Sequence, residues 1–195
     1  MNRGHVCTGT ENRMKSNMTS VDRKLQKSKI ERGEVYLGIE LGSTRIKAVI
    51  IDSLHTPIIS GSFTWENKLE DGIWTYDLAA VEAGIQTCYT DLCNNVETTF
   101  GVKLDYIAAI GISAMMHGYL VFDEQGKQLV PFRTWRNTNA EEAGRKLSAV
   151  FDVNIPIRWS ISQLYQSVLD SEPHVSSIRY LTTLSGYDHE LPPKE

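Results

Sequence analysis

Residues 35–51 read VYLGIELGSTRIKAVII, and this stretch decides how the fold begins. Val35–Ile39 is a short apolar run bordered by glycine, the pattern of a buried strand. Gly42, Ser43 and Thr44 make a turn, and Ile46–Ile51, rich in β-branched residues, reads as a second strand. His55, Thr56 and Pro57 break that strand, and Ile58–Trp65 alternates enough for a third. Three consecutive strands with short turns form a meander rather than a strand–helix–strand unit.

Beyond the meander, Asp77 is a good N-cap for a helix reaching about Phe100, with apolar residues at Leu78, Val81, Ile85, Tyr89 and Leu92 along one face. Gly101 closes it. Tyr106–Ser113 is apolar almost throughout, which predicts a central strand. After a loop at 114–118, Tyr119–Phe122 reads as a strand, residues 123–126 as a turn, and Gln128–Pro131 as the return. A helix capped by Thr138 or Asn139 is expected to about Phe151, another over Ser160–Leu169, and a short one over Val175–Leu184. Residues 188–195 lose all apolar period and are expected to lie outside the domain, as in a truncated chain.

The 195 residues are 41% hydrophobic and 23% charged, which fits one globular domain with tails. A net charge of -4 leaves no nucleic-acid footprint on the chain as a whole. Residues 1–34 are the exception: eight Lys/Arg face four acids, with no aromatic residue and no apolar period, so a disordered basic leader is expected there. No run approaches the ~18 apolar residues of a membrane span, so no membrane partner is expected. Cys7, Cys88 and Cys93 are an odd number without paired spacing, which suits a reducing cytosol and offers no zinc motif.

Three motifs can carry chemistry. In the first hairpin Gly42 lets the backbone approach a ligand, and Ser43 and Thr44 offer amide and hydroxyl donors, a small anion-binding concavity. Glu40, two residues earlier, can hold Mg²⁺ directly or through water. The same residues also suit an ordinary Gly-Ser hairpin with an incidental acid, and no GxxxxGK[ST] or GxGxxG is present. The second motif is GISAMMHG at 111–118, after a strand end, where open α/β sheets place ligands. His117 can hydrogen-bond a sugar hydroxyl and Met116 can pack on a sugar's apolar face, although a lone histidine is also a common core residue. The third is FRTWRNT at 132–138, where Trp135 beside polar groups suits a stacked sugar, or equally a core tryptophan before a helix cap.

Taken in order, these motifs resemble the FGGY carbohydrate kinases, and xylulose and ribulose kinases in particular. The resemblance covers about Val35 to Tyr187, with NIPIRWS at 154–160 and YLTTLSGY at 180–187 adding to it. It implies an α/β domain of RNase H-like fold, as in actin and hexokinase, spanning 35–187. It implies ATP-dependent phosphorylation of a ketose, with ATP and Mg²⁺ as cofactors. Gly42, Ser43 and Thr44 then match the first phosphate loop and Glu40 the metal position, where the wider superfamily usually has Asp. Met116 and His117 match the sugar contacts, and Trp135 and Asn137 the following sugar-side segment. The family's general base and adenosine pocket are expected beyond the end of this chain, in a C-terminal kinase domain that is the implied partner. The alternatives are a non-catalytic sugar-binding module and an inactive fragment.

Overall fold

The computed structural model describes residues 19–190. The backbone divides into two compact units. The described part of the first runs up to Glu40 and takes in Ile46–Phe63 and Ile85–Gly111; the second comprises Leu41–Arg45, Thr64–Gly84 and the chain from Ile112 onward.

The first unit opens with helix α1 (Ser20–Glu31), which corrects the expectation of a disordered leader for these residues. The helix is polar, and Ile30 is its one buried residue, so an apolar period could not reveal it. A capping box starts it instead: Thr19 Oγ1 accepts from the Asp22 amide (3.1 Å), and Asp22 Oδ2 accepts from the Thr19 amide (3.2 Å). Lys29 then pairs with the buried Asp52 at 2.7 Å. Asp52 also accepts from the Leu54 and Thr56 amides. These bonds, led by Lys29, hold its carboxyl down at about 2. Residues 1–18 of the expected leader lie outside the described residues.

Strands β1 (Tyr36–Leu41), β2 (Arg45–Ile51) and β3 (Pro57–Thr64) are neighbours, as the sequence pattern predicts, and β6 (Ala109–Ala114) lies on the other side of β1, giving the order β3-β2-β1-β6. In β2 the residues Ile46, Ala48 and Ile50 alternate inward, the two-residue period of a sheet face. Helix α2 (Leu78–Phe100) lies against β3 with almost no clearance. A Cβ on Gly61 would sit 2.4 Å from the Leu92 nitrogen and 2.6 Å from the Cys88 carbonyl oxygen, so only glycine fits. Asp91 accepts from the Ser62 amide and Asn95 donates to the Ser60 carbonyl, fixing the helix in register. Strand β6 corrects the expectation of a central position. It stands at the edge of the four-stranded sheet, with Ile110 60% exposed, because apolar composition alone does not distinguish an edge strand from an inner one.

The second unit holds a hairpin that the sequence reading missed, β4 (Lys68–Glu70) and β5 (Ile73–Thr75), with Leu69 opposite Trp74. Asp71 and Gly72, both at positive φ, form its turn. Strand β7 (Leu120–Phe122) pairs antiparallel with β8 (Tyr180–Thr182). Helix α3 (Glu141–Phe151) follows Ala140, so neither Thr138 nor Asn139 is its cap. The need is met from outside: Gln166 of helix α4 (Ser160–Leu169) accepts from the Ala143 amide at 3.1 Å. The helix expected over 175–184 is instead a 3₁₀ turn (Pro173–Ser177), β8, and helix α5 (Leu184–Glu190). Residues 188–190 therefore continue a helix rather than a structureless tail; 191–195 lie outside the described residues. No helix among the described residues is long and apolar enough to cross a membrane.

Candidate functional site

Gly42, Ser43 and Thr44 form the tip between β1 and β2, closed by the Gly42 amide donating to the Arg45 carbonyl at 3.0 Å. All three tip carbonyls are engaged from within the second unit. Trp65 Nε1 donates to the Gly42 oxygen (2.8 Å), the Trp65 amide donates to the Thr44 oxygen (3.2 Å), and the Tyr76 hydroxyl donates to the Ser43 oxygen. The acceptor side of the tip is thus satisfied internally. Among the described residues no hydrogen bond engages the amides or hydroxyls of Ser43 and Thr44. A tip whose acceptors are engaged and whose Ser43 and Thr44 donors are available suits an anion, so a phosphate group fits these two residues.

Trp65 and Tyr76 are buried and stacked, their ring centres 4.3 Å apart and their planes at 23°. Burial pushes the Tyr76 phenol up to about 12, so it holds its proton and remains a donor. Asn67 Nδ2 donates to the Tyr76 oxygen at 2.6 Å. Tyr76 in turn lies against Phe132, with ring centres 6.3 Å apart.

Phe132 leads to the second motif. Gly118 has φ 136°, and a Cβ there would come within 2.5 Å of the Phe132 ring and 3.1 Å of the Arg133 oxygen. The chain can make this bend only with glycine, and the bend presents Met116 and His117 just before it. Met116 is 72% exposed and His117 half-buried. Burial, helped by the charge of Arg158, lowers the His117 pKa, so the neutral imidazole prevails at neutral pH. Ser160 donates to the Gly118 carbonyl at 2.6 Å, tying the loop to the start of α4.

In the third motif neighbouring residues point to different tasks. Trp135 is 44% exposed. Asn137 is buried, and its carboxamide is fully engaged: Oδ1 accepts from the Trp74 amide, and Nδ2 donates to the carbonyls of Trp74 and Thr134. It staples the third motif to β5. The Arg136 guanidinium lies 3.8 Å over the Trp74 ring. Arg133 is buried, forms a two-pronged pair with Glu172 and also donates to Ser167. Burial opposes the Glu172 charge, but Arg133 outweighs it and the carboxyl is held below its usual range.

Glu40 lies on β1 with an exposed carboxylate 3.8 Å from Lys47 Nζ. No cluster of three or more His, Cys, Asp or Glu residues able to hold a metal occurs among the described residues. A single carboxylate is nevertheless compatible with Mg²⁺, which commonly takes one or two protein carboxylates and completes its shell with phosphates and water. Trp65, Asn67, Trp74 and Tyr76 are the residues the sequence reading missed. The signal was there in Asp71-Gly72 flanked by aromatic residues, a hairpin pattern.

The strand order and the packing of α2 define an α/β protein, and comparison with solved structures places it in the actin/hexokinase-like class. The chain is similar to a xyloylose kinase from Brucella ovis (TM-score 0.68, 21% identity, covering 80% of this chain and 33% of that one). It is also similar to a xylulose kinase (TM-score 0.60, 17% identity, 75% and 31%) and a gluconate kinase (TM-score 0.61, 17% identity, 75% and 30%) from Lactobacillus acidophilus. The chain thus spans about a third of the length of these kinases. No match was found among curated proteins. Residues 35–168 match the N-terminal domain of the FGGY family of carbohydrate kinases, and the chain belongs to that family.

Proposed function

We propose that this chain is the sugar-binding portion of an ATP-dependent sugar kinase acting on a ketose such as xylulose or ribulose. The observation that carries the reading is the Gly42–Thr44 tip, whose three carbonyls are engaged by Trp65 and Tyr76 while the donors of Ser43 and Thr44 remain available. In the same unit Met116 and Trp135 offer apolar surface for a sugar's C–H face, and His117 offers a neutral hydrogen-bonding ring.

In this reading the Ser43 and Thr44 amides and hydroxyls bind phosphate oxygens of ATP and stabilise the charge that develops during transfer. Met116, His117 and Trp135 hold the sugar so that its hydroxyl faces that phosphate, which is mainly a gain in positioning. Asn137 acts indirectly, by fixing the segment that carries Trp135. Glu40 would hold Mg²⁺, which supplies charge neutralisation between phosphates. The general base and the adenosine pocket are assigned to a second, C-terminal kinase domain. The shared length of about a third with the neighbouring kinases supports that division.

Calorimetric titration of the chain with D-xylulose, D-ribulose and glycerol, alongside a coupled assay of ADP release, tests the proposal. Saturable heat with a ketose and little turnover are expected from this chain alone. Absence of binding to any of the three by folded protein would sink the reading. Ketose binding that never acquires ATP-dependent turnover, even with a kinase second domain added, would instead favour a non-catalytic sugar-binding module.

A further inference from the structure

The hydroxyl and the ring of Tyr76 touch different parts of the proposed site. The hydroxyl donates to the Ser43 carbonyl, at the tip where the Ser43 and Thr44 donors are proposed to bind phosphate. Rotating that one peptide would turn the carbonyl outward, and an outward oxygen would repel a phosphate. The ring rests on Phe132, and Phe132 fills the space that a Cβ on Gly118 would need, directly after His117. All these residues belong to the second unit. Trp65 stacks on the Tyr76 ring and donates to both neighbouring tip carbonyls.

We infer that Tyr76 is a positioning residue with two separable tasks: its hydroxyl orients the phosphate-facing tip, and its ring, through Phe132, holds the Met116–Gly118 loop in its sugar-facing bend. The inference rests on the function proposed above and adds to it a residue that no motif contains. The environment suits the role. Asn67 donates to the phenol oxygen, which directs the phenol's own proton toward Ser43, and burial keeps that proton in place well above neutral pH. A phenylalanine at position 76 would keep the ring and lose the orienting bond.

The test uses the full 195-residue chain and two probes, inorganic phosphate and D-xylulose. Phosphate is followed through the ¹H–¹⁵N shifts of the Ser43 and Thr44 amides, the ketose by calorimetry. Tyr76→Phe is expected to weaken phosphate binding about tenfold, the loss of one orienting hydrogen bond, with xylulose affinity within about twofold of wild type. Phe132→Leu is expected to give the converse, a several-fold loss for xylulose with the phosphate response kept. Trp65→Phe removes the indole donor to Gly42 and is expected to follow Tyr76→Phe, so the argument survives if one variant folds poorly. The inference fails if wild type binds both probes and Tyr76→Phe and Trp65→Phe weaken both alike, or neither. If folded wild type binds neither probe, the underlying function is wrong and the inference goes with it.

Discussion

The Tyr76 hydroxyl donates to the carbonyl oxygen of Ser43, across 33 residues of sequence. The bond joins a buried aromatic stack to the tip of the first hairpin and decides which way that tip's peptide faces. Because the folded phenol is raised to about 12, the folded state holds a proton that the unfolded chain releases near 10. That contribution to stability is present below about pH 10 and is lost as pH rises toward 12. Thermal melts between pH 9 and 12 should show a steeper fall in wild type than in Tyr76→Phe.

Acid should act on the first unit through Asp52. Its folded pKa, about 2, lies below the unfolded value of 3.8, so its contribution is complete above about pH 4 and is lost as pH falls toward 2. Asp52→Asn removes the charge that pairs with Lys29 and should cost about 1–3 kcal/mol at pH 7. Urea unfolding at pH 7 and at pH 3 checks this: the gap between wild type and variant should narrow at the lower pH.

Two glycines should be intolerant of even one added methyl. At Gly61 the clash is with the backbone of α2, which cannot step aside, so Gly61→Ala should cost about 3 kcal/mol or more. At Gly118 the clash is with the edge of the Phe132 ring, and φ 136° adds backbone strain, so Gly118→Ala should cost about 2 kcal/mol. Gly72→Ala meets no atom within 4 Å and carries only the strain of its positive φ, so it should be the mildest of the three. Denaturant midpoints rank them.

The meander and helix α2 were legible because their apolar residues repeat at the strand and helix periods. Ile46, Ala48 and Ile50 alternate; of the expected helical face Val81 and Leu92 are buried, joined by Cys88 and Val96, while Leu78, Ile85 and Tyr89 are half-buried. Helix α1 was missed because it lacks an apolar period and its anchor, the pair between Lys29 and Asp52, is distant in sequence; its only local signal was the Thr19-x-x-Asp22 capping box. The start of α3 was misread because its donor is satisfied by Gln166, 23 residues away. At the site, glycine, histidine and tryptophan stood out as residue types. The role of Asn137 did not, since a motif cannot show that a carboxamide spends both ends on Trp74. Trp65 and Tyr76 belong to no motif, and their bonds to the tip carbonyls span 23 and 33 residues of sequence, beyond the reach of any local pattern.

His117 and Trp135 carry the sugar side of the account, so their variants should lose binding without losing the fold. His117→Ala should weaken xylulose binding by roughly tenfold or more through one lost hydrogen bond and its packing, with a melting temperature close to wild type because the side chain is only half-buried. Calorimetry and thermal melts on the same samples check both halves of this statement.

The most direct measurement is the intrinsic tryptophan fluorescence of the chain titrated with D-xylulose, in wild type and in Trp135→Phe. Stacking of the sugar on the exposed Trp135 ring should give a saturable change in wild type that disappears in the variant. A folded wild type whose spectrum does not move, or a variant that responds as strongly as wild type, would contradict a ketose seated between Met116, His117 and Trp135.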